Sequence, residues 1–205
     1  MCNQGVNALV VAARNNESSK VQMLLACPEI DINGYEDGTK GPALVVASIK
    51  GHVEVVKELL KDVNIDGNKV NKGNNGGQTP LCLASLYGNL DVIKELLWDA
   101  RVDLNLKNEY GNTPLIVAVK AKQIEATKLL LRCPRVDITL SSSNDASRRD
   151  YGKTALDIAT RLGEKGLMNA IQTRPTLLED GHTCNEQGEQ KLIWKVIQRA
   201  KRAAV

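Results

Sequence analysis

Metal and nucleophilic chemistry draws mostly on histidine and cysteine, so those residues come first in this 205-residue chain. There are two histidines, His52 and His182, and five cysteines. His182-Thr-Cys184 places two metal-capable side chains together. A zinc site needs three or four protein ligands, and no second pair is spaced to supply them. No cysteine falls in a CxxC pair, and Cys27 and Cys133 each precede a proline. An odd cysteine count without a signal-peptide pattern predicts reduced thiols in an intracellular, cytoplasmic setting, with the nucleus also open. GxGxxG, Walker A and GxSxG patterns are absent. The sequence therefore predicts no catalytic residue, no cofactor and no metal, and no enzyme. The competing expectation is a metal protein or enzyme with a site around His182, Cys184 or Cys82.

Composition narrows the alternatives. The chain is 42% hydrophobic yet has no Phe, so its core must be built from Leu, Val, Ile and Ala. No apolar run is long enough to cross a membrane. The formal charge of +3 resides entirely in residues 186–205, and residues 1–185 sum to zero. A body without net charge argues against a nucleic-acid surface, which needs clustered basic groups against phosphate.

The elements that must position any site recur along the chain. Five segments read alike: Ala8-Leu9-Val10-Val11-Ala12, Ala43-Leu44-Val45-Val46-Ala47, Pro80-Leu81-Cys82-Leu83-Ala84, Pro114-Leu115-Ile116-Val117-Ala118 and Ala155-Leu156-Asp157-Ile158-Ala159. Their leucines are spaced by 35, 37, 34 and 41 residues, and Gly51, Gly88 and Gly163 follow three of them by seven. Thr79 and Thr113 are N-cap hydroxyls, and Pro80 and Pro114 suit the first helical position. A glycine ends the first helix in the left-handed conformation. A second helix follows with apolar residues at helical spacing: Val53, Val56, Leu60 and Leu90, Ile93, Leu97. A short V-D-x-N element closes the unit at Ile30–Asn33 and Val102–Asn105. One helix pair cannot bury its own apolar face, so the units must stack.

This pattern resembles the ankyrin repeat, most closely in Val102-Asp-Leu-Asn-Leu-Lys-Asn-Glu-Tyr-Gly-Asn-Thr-Pro-Leu115. The resemblance implies an all-α solenoid with β-turn fingers, in repeats of approximately 5–33, 34–70, 71–104, 105–138 and 139–173. The family's T-P-L-H histidine is replaced by Val10, Val45, Cys82, Ile116 and Asp157, so apolar contacts should substitute at four of those positions. His52 falls where the family starts a second helix, and a capping role is expected of it. Ser18 and Lys20 in repeat one, and Lys165, Gly166 and Gln172 in repeat five, read as polar caps on a complete array.

In that family, the finger turns and the ends of the first helices contact a protein partner. On this sequence those positions are Tyr35, Glu109, Tyr110, Asn112 and Tyr151 in the fingers, and Ile49, Lys50, Leu86, Tyr87, Lys120 and Arg161 at helix ends. All four tyrosines thus fall where binding is expected, and tyrosine is favoured in binding hot spots. The resemblance also makes Asn33 and Asn105 candidates for asparagine hydroxylation. Two insertions mark the same side: three residues around Asp66-Gly67-Asn68, and seven within Ser141–Arg149.

The tail reads as a linker, 174–188, and a basic amphipathic helix, 189–203, striped by Leu192, Ile193, Val196 and Ile197. It is expected to cap repeat five, with a membrane or partner ligand as the less favoured alternative. The function expected is a monomeric, non-catalytic scaffold or adaptor, or an inhibitor or targeting module of the same fold.

Overall fold

The structure, a computed structural model, describes residues 8–35, 41–70, 77–143 and 149–173. The expected linker and terminal helix lie outside these residues, as do His182 and Cys184. Ten helices occur among the described residues, in five pairs. The first helices are α1 (Ala8–Arg14), α3 (Ala43–Lys50), α5 (Pro80–Tyr87), α7 (Pro114–Lys120) and α9 (Ala155–Leu162). The second helices are α2 (Ser18–Leu25), α4 (Val53–Lys61), α6 (Leu90–Trp98), α8 (Ile124–Arg132) and α10 (Lys165–Gln172). First helices pack on first helices and second on second, so the chain is an all-α solenoid of two parallel layers.

Local chemistry starts and stops each helix. Thr79, Thr113 and Thr154 accept hydrogen bonds from the backbone N–H three residues on, at 3.1–3.3 Å. Asp157 completes a capping box at α9 by accepting from the Thr154 N–H at 2.9 Å. Left-handed residues end the first helices: Gly51, Gly88 and Gly163 at φ 74°, 70° and 69°. The two repeats that lack this glycine adopt the same turn with other residues, Asn16 at φ 60° and Lys122 at φ 56°. Asparagine enters this region readily, whereas lysine does so against its Cβ sterics.

The core runs the length of the stack. Leu9, Leu44, Leu81 and Leu115 are at most 1% exposed, whereas Leu156, in the last repeat, is only half-buried. Val10, Val45, Cys82 and Ile116 are fully buried, so apolar packing does replace the family histidine at four positions. The second helices bury more than the expected stripe. Val55 and Leu59 join Val56 and Leu60 in α4, because that helix packs on both its own first helix and its neighbours α2 and α6.

Ladders of polar side chains register one repeat on the next. Asn33 donates through Nδ2 to the Asn64 carbonyl at 2.8 Å and accepts from the Asp66 N–H at 2.8 Å. Asn68 makes the same pair of bonds to Arg101 and Asp103, and Asn105 to Arg135 and Asp137. Asn68 is therefore the third member of the V-D-x-N series. The expectation of an insertion around Asp66-Gly67-Asn68 is corrected: Ile65-Asp66-Gly67-Asn68 is the element itself. The extra residues lie after Asn68, in the finger leading to Thr79.

A second ladder corrects the role of His52. Its side chain makes no capping bond to α4; Nε2 instead lies 3.3 Å from the Arg14 carbonyl at the end of α1. Asn89 donates likewise to the Ser48 and Ile49 carbonyls, and Gln123 to Leu86. Each satisfies carbonyls that the preceding first helix leaves without an internal donor. Arg101 and Arg135 extend the logic to the second helices, donating to carbonyls of Leu60 and Asp62, and of Leu97 and Val102.

Candidate interaction surface

The finger turns and the ends of the first helices share one face, and Asp150 demonstrates it. This finger carboxylate is buried between Lys120, at the end of α7, and Arg161, in the last turn of α9. Lys120 Nζ lies 2.9 Å from Oδ2, and Arg161 Nη2 lies 2.8 Å from Oδ1 as an ion pair without hydrogen-bond geometry. Burial works to raise the Asp150 pKa, but the two cations more than offset it and hold the carboxyl below its ordinary range. Lys120 and Arg161, both expected contact residues, keep about a third of their side chains in solvent while anchored this way.

The four tyrosines separate into two pairs. Tyr87 and Tyr151 are 55% and 49% exposed, and neither hydroxyl has a hydrogen-bond partner among the described residues. Tyr35 is half-buried: its hydroxyl donates to the Val70 carbonyl at 2.8 Å, and Lys69 Nζ lies 5.9 Å from its ring centre. It fastens one finger to the next. Tyr110 is half-buried in a turn organised by Asn108, whose Oδ1 accepts from the N–H groups of Tyr110 and Asn112 at 3.0 Å. Asn112 is buried behind that turn. Glu109 is exposed and lies over Gly77, where a Cβ would sit 2.7 Å from its carboxylate. Lys50 is exposed at the end of α3 beside half-buried Ile49, and Leu86 is half-buried beside Tyr87. Lys50, Tyr87, Lys120, Tyr151 and Arg161 are thus surface groups, whereas Asn112 is inside.

Of the other chemical candidates His182, Cys184 and Cys82, only Cys82 lies among the described residues. Cys82 is fully buried in α5, and desolvation pushes its thiol up to about 11, which leaves no thiolate at neutral pH. No disulfide joins Cys27, Cys82 or Cys133. Among the described residues there is no group of three or more His, Cys, Asp and Glu that could hold a metal ion. None of the described helices is long and apolar enough to cross a membrane. Asn33 and Asn105 have both ends of their amides engaged in the register ladder.

Two features lay hidden at the sequence level. Asn68 is masked by the glycine at the x position of its element, and only its 35-residue spacing from Asn33 marks it in the sequence. Asp150 went unrecognised because the seven-residue insertion hides its register with Glu109, each standing four residues before an N-cap threonine.

The family model described as "Ankyrin repeats (3 copies)" matches this chain over residues 9–108, 44–142 and 87–187. Ankyrin repeats are generally protein–protein interaction modules, and their fold is typically non-catalytic. Overlapping matches cover every helix pair described above, so the capped helix, left-handed turn and second helix are family features. The chain belongs to the ankyrin-repeat family.

Proposed function

We propose that this protein is a non-catalytic scaffold or adaptor that binds a protein partner through the face formed by its first-helix ends and finger turns. The observation that carries the reading is the exposure of Tyr87 and Tyr151 on that face. Large aromatic side chains at half exposure, with hydroxyls unused by the fold, supply area and a polar contact at low conformational cost. Nothing in the packing of the stack requires them there. The second helices present mainly short-range ion pairs: Glu54–Lys57, Asp91–Lys94 and Glu125–Lys128, each at 2.8–2.9 Å. Those pairs engage lysines of that side within their own helices.

The test is a comparison of partners captured by the wild-type chain and by a Tyr87→Ala, Tyr151→Ala variant, quantified by mass spectrometry. Partners should be lost from the variant while its melting temperature changes little, since both rings are exposed. An identical capture profile from a folded variant would remove this face from the function.

A further inference from the structure

We infer that the front of the stack is built to receive an acidic segment of a protein partner, an inference that rests on the front-face reading above. The zero net charge of the body conceals a separation. Among the described residues, the first helices, the turns that end them and the fingers carry nine basic residues and three acidic ones. The second helices, their caps and the turns that follow carry nine basic and fourteen acidic. The finger segments outside the described residues add three of each sign, so they leave the imbalance as it is.

The few front carboxylates are also engaged. Asp150 is enclosed by Lys120 and Arg161, and Asp157 is held in the α9 capping box. The side chains of Lys50, Arg149 and Lys153, by contrast, make no hydrogen bond or ion pair among the described residues, although Lys153 lies near enough to Asp157 to help lower its pKa. On the back, most lysines of the second helices already have a carboxylate three residues away. The front therefore carries an excess of positive charge and the back an excess of negative charge. A basic face steers acidic partners toward it and disfavours basic ones.

The spacing favours polypeptide over nucleic acid. Basic groups alternate along the row with Ile49, Leu86, Tyr87 and Tyr151, and Glu109 stands among them. Consecutive phosphates would meet apolar side chains and a carboxylate, whereas carboxylates separated by apolar residues would match both kinds of group.

Four probes decide the matter on the full chain: a peptide alternating Glu with Leu, its Lys-for-Glu counterpart, a single-stranded DNA oligomer, and vesicles of phosphatidylcholine with phosphatidylserine. The Glu peptide should bind, shift backbone amide resonances around Lys50, Tyr87 and Lys153, and weaken as salt is raised. Lys50→Glu with Lys153→Glu should reduce that affinity by about tenfold without altering the melting temperature. No binding by the Glu peptide, shifts confined to the second helices, or tighter binding of any other probe would overturn the inference. Photo-crosslinking from position 87 separates this failure from that of the underlying reading. A crosslinked partner segment that is neutral or basic sinks the charge argument and leaves the front face as the site. Crosslinks obtained only from a probe at position 94, on the back, would sink both.

Discussion

The front and back of this stack are made from the same repeating unit, yet they differ in how completely their polar groups are used. On the back, Asn33, Asn68 and Asn105 each bridge to the following turn, and Arg101 and Arg135 clamp helix ends. On the front, Tyr87, Tyr151, Lys50 and Lys153 are left to solvent. A solenoid needs register between neighbouring units, and the asparagine ladder supplies it from the first helix pair to the fourth. Once that is in place, the opposite face can vary without loss of fold. On the proposed reading, stability and recognition separate onto different sides of the stack, and substitutions should sort accordingly.

The largest effect should come from the shared core. Leu81 is fully buried where α5 packs between α3 and α7. Leu81→Ala should cost about 3 kcal/mol, within the range for buried leucine truncation, read by urea denaturation. A loss below about 1 kcal/mol would mean that neighbouring repeats collapse into the cavity. Next comes Asn68→Ala, which removes one donor and one acceptor linking repeats two and three. It should cost roughly 1–2 kcal/mol. If Asn68→Ala proved as mild as an exposed surface change, the ladder would be a consequence of register and not its cause.

The core and the helix boundaries were legible in the sequence because residue type alone determines them. Thr-Pro starts α5 and α7, Gly ends α3, α5 and α9, and the recurring leucine marks the buried face. The polar ladders were less legible, because their partners lie 30–41 residues away and the side chain alone does not announce whom it will meet. His52 looked like a cap for its own helix and serves the preceding repeat. The tyrosines show the same limit on the front. All four occupy equivalent or neighbouring positions, but Val70 happens to offer Tyr35 a carbonyl, while Tyr87 has no such neighbour. Exposure is decided between repeats, and a repeat-by-repeat reading averages over it.

Asp150 is a front residue that should behave like the back. Asp150→Asn removes the charge that holds Lys120 and Arg161 together, and should cost about 1 kcal/mol near neutral pH, since both cations are partly solvated. The folded carboxyl titrates below its ordinary value, so its contribution is present above the unfolded pKa and is lost as pH falls through the folded one. The stability gap between wild type and Asp150→Asn should therefore close on acidification below the usual carboxylate range. A gap that stays constant with pH would show that the substitution acts through packing of the finger and not through charge.

The smallest effect falls at the junction of the two faces, where Lys122 occupies a left-handed turn that three other repeats give to glycine. Holding a Cβ in that conformation costs roughly 1–2 kcal/mol, which Lys122→Gly would recover. Two terms oppose the gain. Glycine loses more backbone entropy on folding, by about 0.5–1 kcal/mol. The 2.7 Å ion pair to Glu164 is also lost, but with the lysine side chain 57% exposed it is worth little. The net expectation is a stabilisation of about 0.5 kcal/mol, measurable as a small shift of the urea midpoint at unchanged slope. Glu164 gives this residue a further meaning. It occupies the position of His52, Asn89 and Gln123, but a carboxylate cannot donate to the carbonyls of α7 as those residues do to the helices before them. Lys122 supplies the hydrogens for this contact instead. If Lys122→Gly destabilised the protein by more than about 1 kcal/mol, the pair would be acting as the missing step of the ladder. The back would then owe its continuity at the last repeat to a residue that belongs to the front.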